Sequence, residues 1–187
     1  LSSFNNDYKI GNEEFNIWCE ILKAHRNCIL WLLVSNDESE KNLSNSAKNA
    51  GIKENQIKFG RRISFEEHLE RIKLTDIALD TFNYNSHTTG SDYLRHGVPF
   101  VSKIGKSFPA RVGASLLNAI GLQELICDSQ AEYKETITHL ISDPSYLKKI
   151  KAKLKRNISK TNLFNPKEFA RELESAYSRA VTNFLKK

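Results

Sequence analysis

Short apolar runs alternate along this chain with stretches patterned for helices, and that alternation restricts the possible folds more than any other feature. The longest run, Cys28-Ile-Leu-Trp-Leu-Leu-Val34, has seven residues and no polar interruption. Such a run reads as a strand covered on both faces, because a strand with one wet face alternates apolar and polar side chains. Before it, Phe15, Trp18, Cys19 and Leu22 recur at helical spacing and predict a helix over Glu13–His25. After it come a polar helix Glu38–Ala50 ended by Gly51 and a short strand Gln56–Phe59. Ser64, followed three residues on by Glu67, is a capping box that opens a helix Phe65–Leu74. The pattern continues as strand Asp76–Asp80, helix Thr88–His96 closed by Gly97, strand Val98–Val101, helix Pro109–Ile120 closed by Gly121, and strand Glu124–Cys127. Helices Ala131–Ile141, Tyr146–Ile158 and Pro166–Phe184 complete the chain. The break Asn157–Asn165 reads as a hinge, and the long last helix is expected to dock on something.

Strands separated by helices of 10–15 residues build βαβ units and a parallel sheet. The expected fold class is α/β, an open, doubly wound parallel sheet, with ligands beyond the carboxyl ends of the strands near a topological switch point. At 187 residues the chain has the length of one domain, taken as 1–187, with a helical tail from about 129 onward. No apolar run approaches the ~18 residues needed to cross a bilayer, and no secretory leader pattern opens the chain. The expected location is cytoplasmic. The sequence has no Met, even at position 1, so the chain is expected to be a piece of a longer or processed protein.

The formal net charge of +6 allows a nucleic acid, a membrane surface or a phosphate-bearing ligand as partner. Seven basic residues and no acidic one fall between Lys148 and Lys160. Ile150 and Leu154 give that segment an apolar stripe, and no aromatic side chain interleaves with the cations. It therefore reads as a solvated helix face, not a nucleic-acid site. Cys19, Cys28 and Cys127 show no metal spacing and read as buried, reduced thiols.

Chemistry concentrates in Asp80-Thr-Phe-Asn-Tyr-Asn-Ser-His-Thr-Thr-Gly-Ser-Asp92, which follows a buried strand and opens a helix. Small polar residues leave the helix N–H groups free to face an anion, and a helix N-terminus is a ready phosphate site. Thr88 and Thr89 add hydroxyl donors and His87 a ring N–H. The plainer alternative is capping of the helix by Ser86 or Thr88. In a second cluster, His68 and Arg71 share one helix face. In a third, Phe4 to Ile10 is a strand end followed by a polar turn, where Lys9 can serve as a point charge for phosphate. There is no Gly-x-Gly-x-x-Gly, no P-loop Lys-Ser/Thr, no His-x-x-x-His and no Asp-x-Asp after a strand, so a diphosphate would be met by helix N–H groups and basic side chains without a metal.

Taken in order, Phe4-Asn5-x-x-Tyr8-Lys9-Ile10, Leu30-Trp31-Leu32-Leu33, Glu66-Glu67-His68, Leu79-Asp80-Thr81 and His87-Thr88-Thr89-Gly90-x-Asp92-x-Leu94 resemble the O-linked N-acetylglucosamine transferases, including the SPINDLY-like proteins. The resemblance continues through Ala110-Arg111-Val112, Tyr146-Leu147-Lys148-Lys149 and Leu163-Phe164-Asn165 and covers essentially the whole chain. It implies the Rossmann-like C-terminal half of a GT-B glycosyltransferase, with the N-terminal half and the tetratricopeptide repeats absent from these residues. It implies a UDP-sugar donor, N-acetylglucosamine being the expected sugar, with metal-independent transfer to Ser or Thr of a protein. A half-domain alone is expected to bind UDP and to be inactive. The donor set implied is Asn6, Tyr8, Lys9, Ile63, His68, Arg71, His87, Thr88, Thr89 and Asp92. Lys9 resembles the catalytic lysine that stabilises the leaving UDP. His87, Thr88 and Thr89 resemble the phosphate-binding helix start, and Asp92 the carboxylate that accepts a ribose hydroxyl. His68 resembles the histidine beside the uracil, with Arg71 nearby and the backbone around Ile63 reading the base edge. Phe65 stands where the family often has Lys, and Asn6 where it often has Gln; both bear on donor binding and on the sugar accepted. Partners are expected to be a UDP-sugar and protein acceptors, with no nucleic acid and no membrane. The alternative is a nucleotide-sensing or scaffolding module of the same fold without transferase activity.

Overall fold

A computed structural model of the chain describes residues 1–186. Six strands form one sheet: β1 (Ser2–Ser3), β2 (Leu30–Leu33), β3 (Ile57–Gly60), β4 (Ala78–Leu79), β5 (Phe100–Lys103) and β6 (Ile126–Cys127). Every pairing is parallel and the order is β3-β2-β1-β4-β5-β6. Helices α1 (Asn12–Ala24), α2 (Asp37–Asn49), α3 (Phe65–Lys73), α4 (Thr88–Arg95) and α5 (Val112–Ala119) connect successive strands. Helices α6 (Gln130–Ser142), α7 (Pro144–Ile158) and α8 (Pro166–Leu185) follow the sheet. This is the doubly wound, Rossmann-like arrangement. From β1 the chain winds outward through β2 and β3, then returns to β4 and winds the other way, so the switch point lies between β1 and β4.

The core is continuous across the sheet, with Trp18, Leu30, Leu32, Leu79, Val101, Leu117, Tyr133 and Leu154 excluded from solvent. Gly51, Gly97 and Gly121 take positive φ just past the ends of α2, α4 and α5, the conformation that an added Cβ disfavours. The strand cores are shorter than the apolar runs around them. β1 was expected only as the strand end before the Phe4–Ile10 turn. It is a central strand made of two buried serines: Ser2 Oγ is paired with the Tyr93 hydroxyl (2.8 Å) and accepts from Thr75 Oγ1 (3.0 Å), while Ser3 Oγ has no hydrogen-bond partner.

Other expectations are corrected. The helix expected over Pro109–Ile120 is two pieces: a 3₁₀ turn at Phe108–Ala110, then α5 beginning at Val112. Cys19 and Cys127 are buried, with thiols pushed up to about 11 by burial, but Cys28 is only half-buried. The break at Asn157–Asn165 is anchored: Asn157 Nδ2 donates to Ile120 O (2.8 Å), Leu163 and Phe164 pack on the core, and the Arg95 guanidinium lies 5.0 Å over the Phe164 ring. No side chain of α8 is buried; the helix touches the Asn162–Phe164 turn that precedes it, Asn162 Nδ2 donating to Glu172 Oε1 (3.4 Å). On α7, Ile150 and Leu154 face the core, while Lys151 and Lys153 pair with Asp76 and Glu124. No helix among the described residues is long and apolar enough to cross a membrane.

Candidate functional site

Two turns stand side by side at the switch point. One leaves β1 through Phe4–Lys9, the other leaves β4 through Asp80–His87. They are tied together: Asn5 Nδ2 donates to Ser86 Oγ (2.6 Å), and Lys9 Nζ donates to Asn85 O (3.1 Å). Glu14, buried in the first turn of α1, accepts from Gly11 N (2.9 Å) and from Phe82 N (3.3 Å), tying the start of α1 to the turn that leaves β4.

The turn from β4 presents the start of α4. Helices α2, α3, α6, α7 and α8 each begin with a side-chain cap, from Asn36, Ser64, Ser129, Asp143 and Asn165. α1, at Gly11, α4, at His87, and α5, at Arg111, begin with none, and of these α4 is the one whose first residues share a cleft with Lys9. The capping by Ser86 or Thr88 allowed by the sequence does not occur, because the Ser86 hydroxyl faces inward to Asn5. The N–H groups of the first turn of α4 are therefore free for an anion.

These free ends open on a cleft of about 520 Å³. Asn6 and Lys9 line it from the first turn, Thr88 and Thr89 from α4, and Arg62, Ile63, Phe65, His68 and Arg71 from the segment joining β3 to α3. Three cations thus converge on a wall that carries no carboxylate. A groove of about 680 Å³ against α5 is roomier, but its lining is chiefly apolar, and Arg111 is its single charge.

Arg71 is buried against the aromatic floor, its guanidinium 4.5 Å over the Phe4 ring. Gly60 permits this approach, since a Cβ there would come within 3.0 Å of Arg71 Nη1 and of Trp31 Nε1. Nη1 donates to Arg61 O (2.9 Å) and Nη2 to His68 Nδ1 (2.7 Å), but no carboxylate among the described residues pairs with it and its Nε has no partner. A guanidinium only donates, so His68 Nδ1 accepts and the imidazole proton sits on Nε2. Burial, then the Arg71 charge, hold the His68 pKa below its usual value, which keeps this tautomer neutral. Burial also lowers the Lys9 pKa, against the opposing pull of the Asp80 carboxylate.

The structure brings Asn6, Lys9, Ile63, His68, Arg71, Thr88 and Thr89 to one cleft. It does not bring Tyr8, His87 or Asp92 to that wall. Tyr8 is exposed, its hydroxyl accepting from Asn6 Nδ2 (3.3 Å). The His87 ring lies against Tyr84 and Phe108, with Nε2 3.4 Å from Pro109 O. Asp92 lies one turn into α4, half-buried, its pKa raised by burial and drawn back by His68 and His96. Sequence reasoning missed Arg62, whose Nη2 donates to Asn6 Oδ1 (2.7 Å). The signal was present in Arg61-Arg62 directly after the carboxyl end of β3, where such a fold places ligands. No group of three or more His, Cys, Asp or Glu among the described residues is arranged to hold a metal.

A profile of the family described as Glycosyl transferase family 41 matches residues 1–173. The chain belongs to this family. It is 33% identical over 172 residues to the UDP-N-acetylglucosamine--peptide N-acetylglucosaminyltransferase of Caenorhabditis elegans, covering 92% of this chain and 15% of that protein. It is 34% identical over 178 residues to the probable UDP-N-acetylglucosamine--peptide N-acetylglucosaminyltransferase SEC of Arabidopsis thaliana, covering 95% of this chain and 18% of that protein. An O-GlcNAc transferase structure from Thermobaculum terrenum superposes with a TM-score of 0.90 at 29% identity, covering 95% of this chain and 35% of that one. The chain therefore spans less than a fifth of either curated relative, and its fold is the Rossmann-like α/β fold found in GT-B glycosyltransferases.

Proposed function

We propose that this chain is the donor-binding half of a transferase that moves a sugar, taken to be N-acetylglucosamine, from a UDP-sugar to a Ser or Thr hydroxyl of proteins, without a metal. The observation that carries the reading is the meeting of Lys9 and the uncapped start of α4 in a cleft walled by Arg62 and Arg71. The diphosphate would lie on the N–H groups of α4, with the Thr88 and Thr89 hydroxyls as further donors. The uracil would lie toward His68, which offers its Nε2 proton. Lys9 has three N–H bonds and gives one to Asn85 O, leaving two for a phosphate oxygen. As the glycosidic bond breaks, negative charge grows on the β-phosphate, and a fixed ammonium beside it favours the transition state over the ground state. Phe65, exposed on the cleft wall, offers the ribose an apolar surface instead of a cation. The rest of the catalytic region and the acceptor site are expected in other parts of the protein, so this chain alone is expected to bind UDP and not to transfer.

Calorimetry of the chain with UDP and UMP in EDTA tests this. A charge-assisted contact to the β-phosphate is worth about 1.5–3 kcal/mol, so UDP is expected to bind about 10- to 100-fold more tightly than UMP. Lys9→Ala should remove most of that preference and leave UMP binding within about twofold, since UMP has no β-phosphate for the ammonium to reach. Equal affinity for the two nucleotides in the unaltered chain refutes the proposal.

A further inference from the structure

We propose that Asp80, acting through Asn85, is a positioning residue that aims the Lys9 ammonium at the donor diphosphate. This rests on the reading of the cleft as a nucleoside-diphosphate site. Asp80 has no accessible surface and lies outside the cleft wall, so it touches no ligand. Its Oδ1 accepts from Thr81 N (2.9 Å) and Ser86 N (2.5 Å), closing the turn between β4 and α4 on a single oxygen. Its Oδ2 accepts from Ser102 Oγ on β5 (2.6 Å). The first turn of α5 seals the carboxylate, because a Cβ on Gly113 would lie 2.3 Å from both Asp80 Oδ2 and Ser102 Oγ.

Inside the turn so closed, Asn85 is also buried and fixed at three points. Its N–H donates to Pro109 O (2.8 Å), its Nδ2 to Thr81 O (2.6 Å), and its Oδ1 accepts from Gly113 N (3.2 Å). What remains is its carbonyl oxygen, the acceptor for Lys9 Nζ. The lysine stem is flexible, and a point charge on such a stem acts on one phosphate only if something holds it. Here the holders are the face of the Tyr84 ring, 3.9 Å from Nζ and part of the turn that Asp80 closes, and the Asn85 carbonyl, whose direction is set by Asp80 and by the Asn85 side chain. Every hydrogen bond to the Asp80 carboxylate is a donor pointing at an oxygen, so an amide keeps the arrangement: Oδ1 continues to accept both N–H groups, and Ser102 reverses to accept from Nδ2.

The test measures UDP and UMP affinities by calorimetry for the unaltered chain, Asp80→Ala, Asp80→Asn and Asn85→Ala, with thermal melts to establish which variants fold. The UDP-over-UMP preference should fall to within about twofold in Asp80→Ala and Asn85→Ala, because the ammonium loses its fixed direction, while UMP affinity stays within about threefold. Asp80→Asn should keep the preference. Asn85→Ala leaves every Asp80 contact in place, so it carries the test if Asp80→Ala fails to fold. Full preference in a folded alanine variant overturns the proposal. So does loss in Asp80→Asn equal to that in Asp80→Ala, or a parallel fall in UDP and UMP affinity, the mark of a merely structural role. No preference in the unaltered chain overturns the nucleotide reading itself, a result distinct from these.

Discussion

Burying a carboxylate with no cation in contact costs free energy, and Asp80 bears that cost at the base of the cleft. Burial pushes its pKa up to about 6 against the opposing effect of the Ser102, Ser86 and Thr81 donors. The folded chain therefore holds this proton more tightly than the unfolded chain, whose carboxyl titrates near the ordinary value of about 3.9. Between about pH 4 and pH 6 the native state binds more protons, so this group makes stability fall as pH rises through that window and leaves it lower above. Two pH units correspond to about 3 kcal/mol. Asp80→Asn does not titrate, so its stability relative to the unaltered chain should improve by about that amount between pH 4 and pH 7.5. Urea unfolding of both proteins at the two pH values measures the difference, and a difference independent of pH would show that Asp80 stays uncharged or is well solvated.

At the scale of elements, what could be read in advance follows from what each side chain reports by itself. β2 announces itself, because Leu30 to Leu33 are apolar regardless of context. β1 does not: it is two serines, and Ser2 is satisfied by Tyr93 and Thr75, some seventy to ninety residues away. Lys9 is one of 28 basic residues until the sheet order places it beside Asn85. Among the members of the site, the polar start of α4 was legible because its chemistry is local, in Thr88-Thr89-Gly90, which the structure leaves without a side-chain cap. The inward role of Asp80 was not, because an Asp at a strand end gives no sign of which donors surround it. α8 shows the same limit from the other side. Its spacing of Phe169, Leu173, Tyr177, Val181 and Phe184 is that of a docking helix, yet all five are exposed. Stability resides in buried contacts, so ending the chain at Asn165 should move the melting temperature by no more than about 2 °C. A fall beyond about 5 °C in differential scanning calorimetry would mean that α8 supports the sheet.

Over the whole molecule, the halves of the sheet are joined behind the site by Tyr133. This residue of α6 is fully buried, its ring edge-on to Phe82 at 5.0 Å. Its hydroxyl accepts from Trp18 Nε1 on α1 (3.0 Å) and donates to the Asp80 carbonyl at the end of β4 (3.0 Å). One oxygen thus links the helix that follows β1, the strand across the switch point and the helix that closes the sheet. Tyr133→Phe preserves the ring and its packing but leaves a buried indole N–H and a buried carbonyl without partners. Stranding a buried polar group costs about 1–3 kcal/mol, so the pair should cost about 2–4 kcal/mol. For a chain of this length that is a fall of about 5–15 °C in melting temperature. The exposed Tyr177 on α8 is the control, and Tyr177→Phe should stay within about 0.5 kcal/mol of the unaltered chain. Because the Asp80 carbonyl lies at the root of the turn between β4 and α4, folded Tyr133→Phe should also lose part of the UDP-over-UMP preference, but less than Asp80→Ala, since the carboxylate contacts to Thr81 and Ser86 remain. A Tyr133→Phe protein that melts with the control would show that the two groups find other partners and that the hydroxyl bridge does not hold the switch point together.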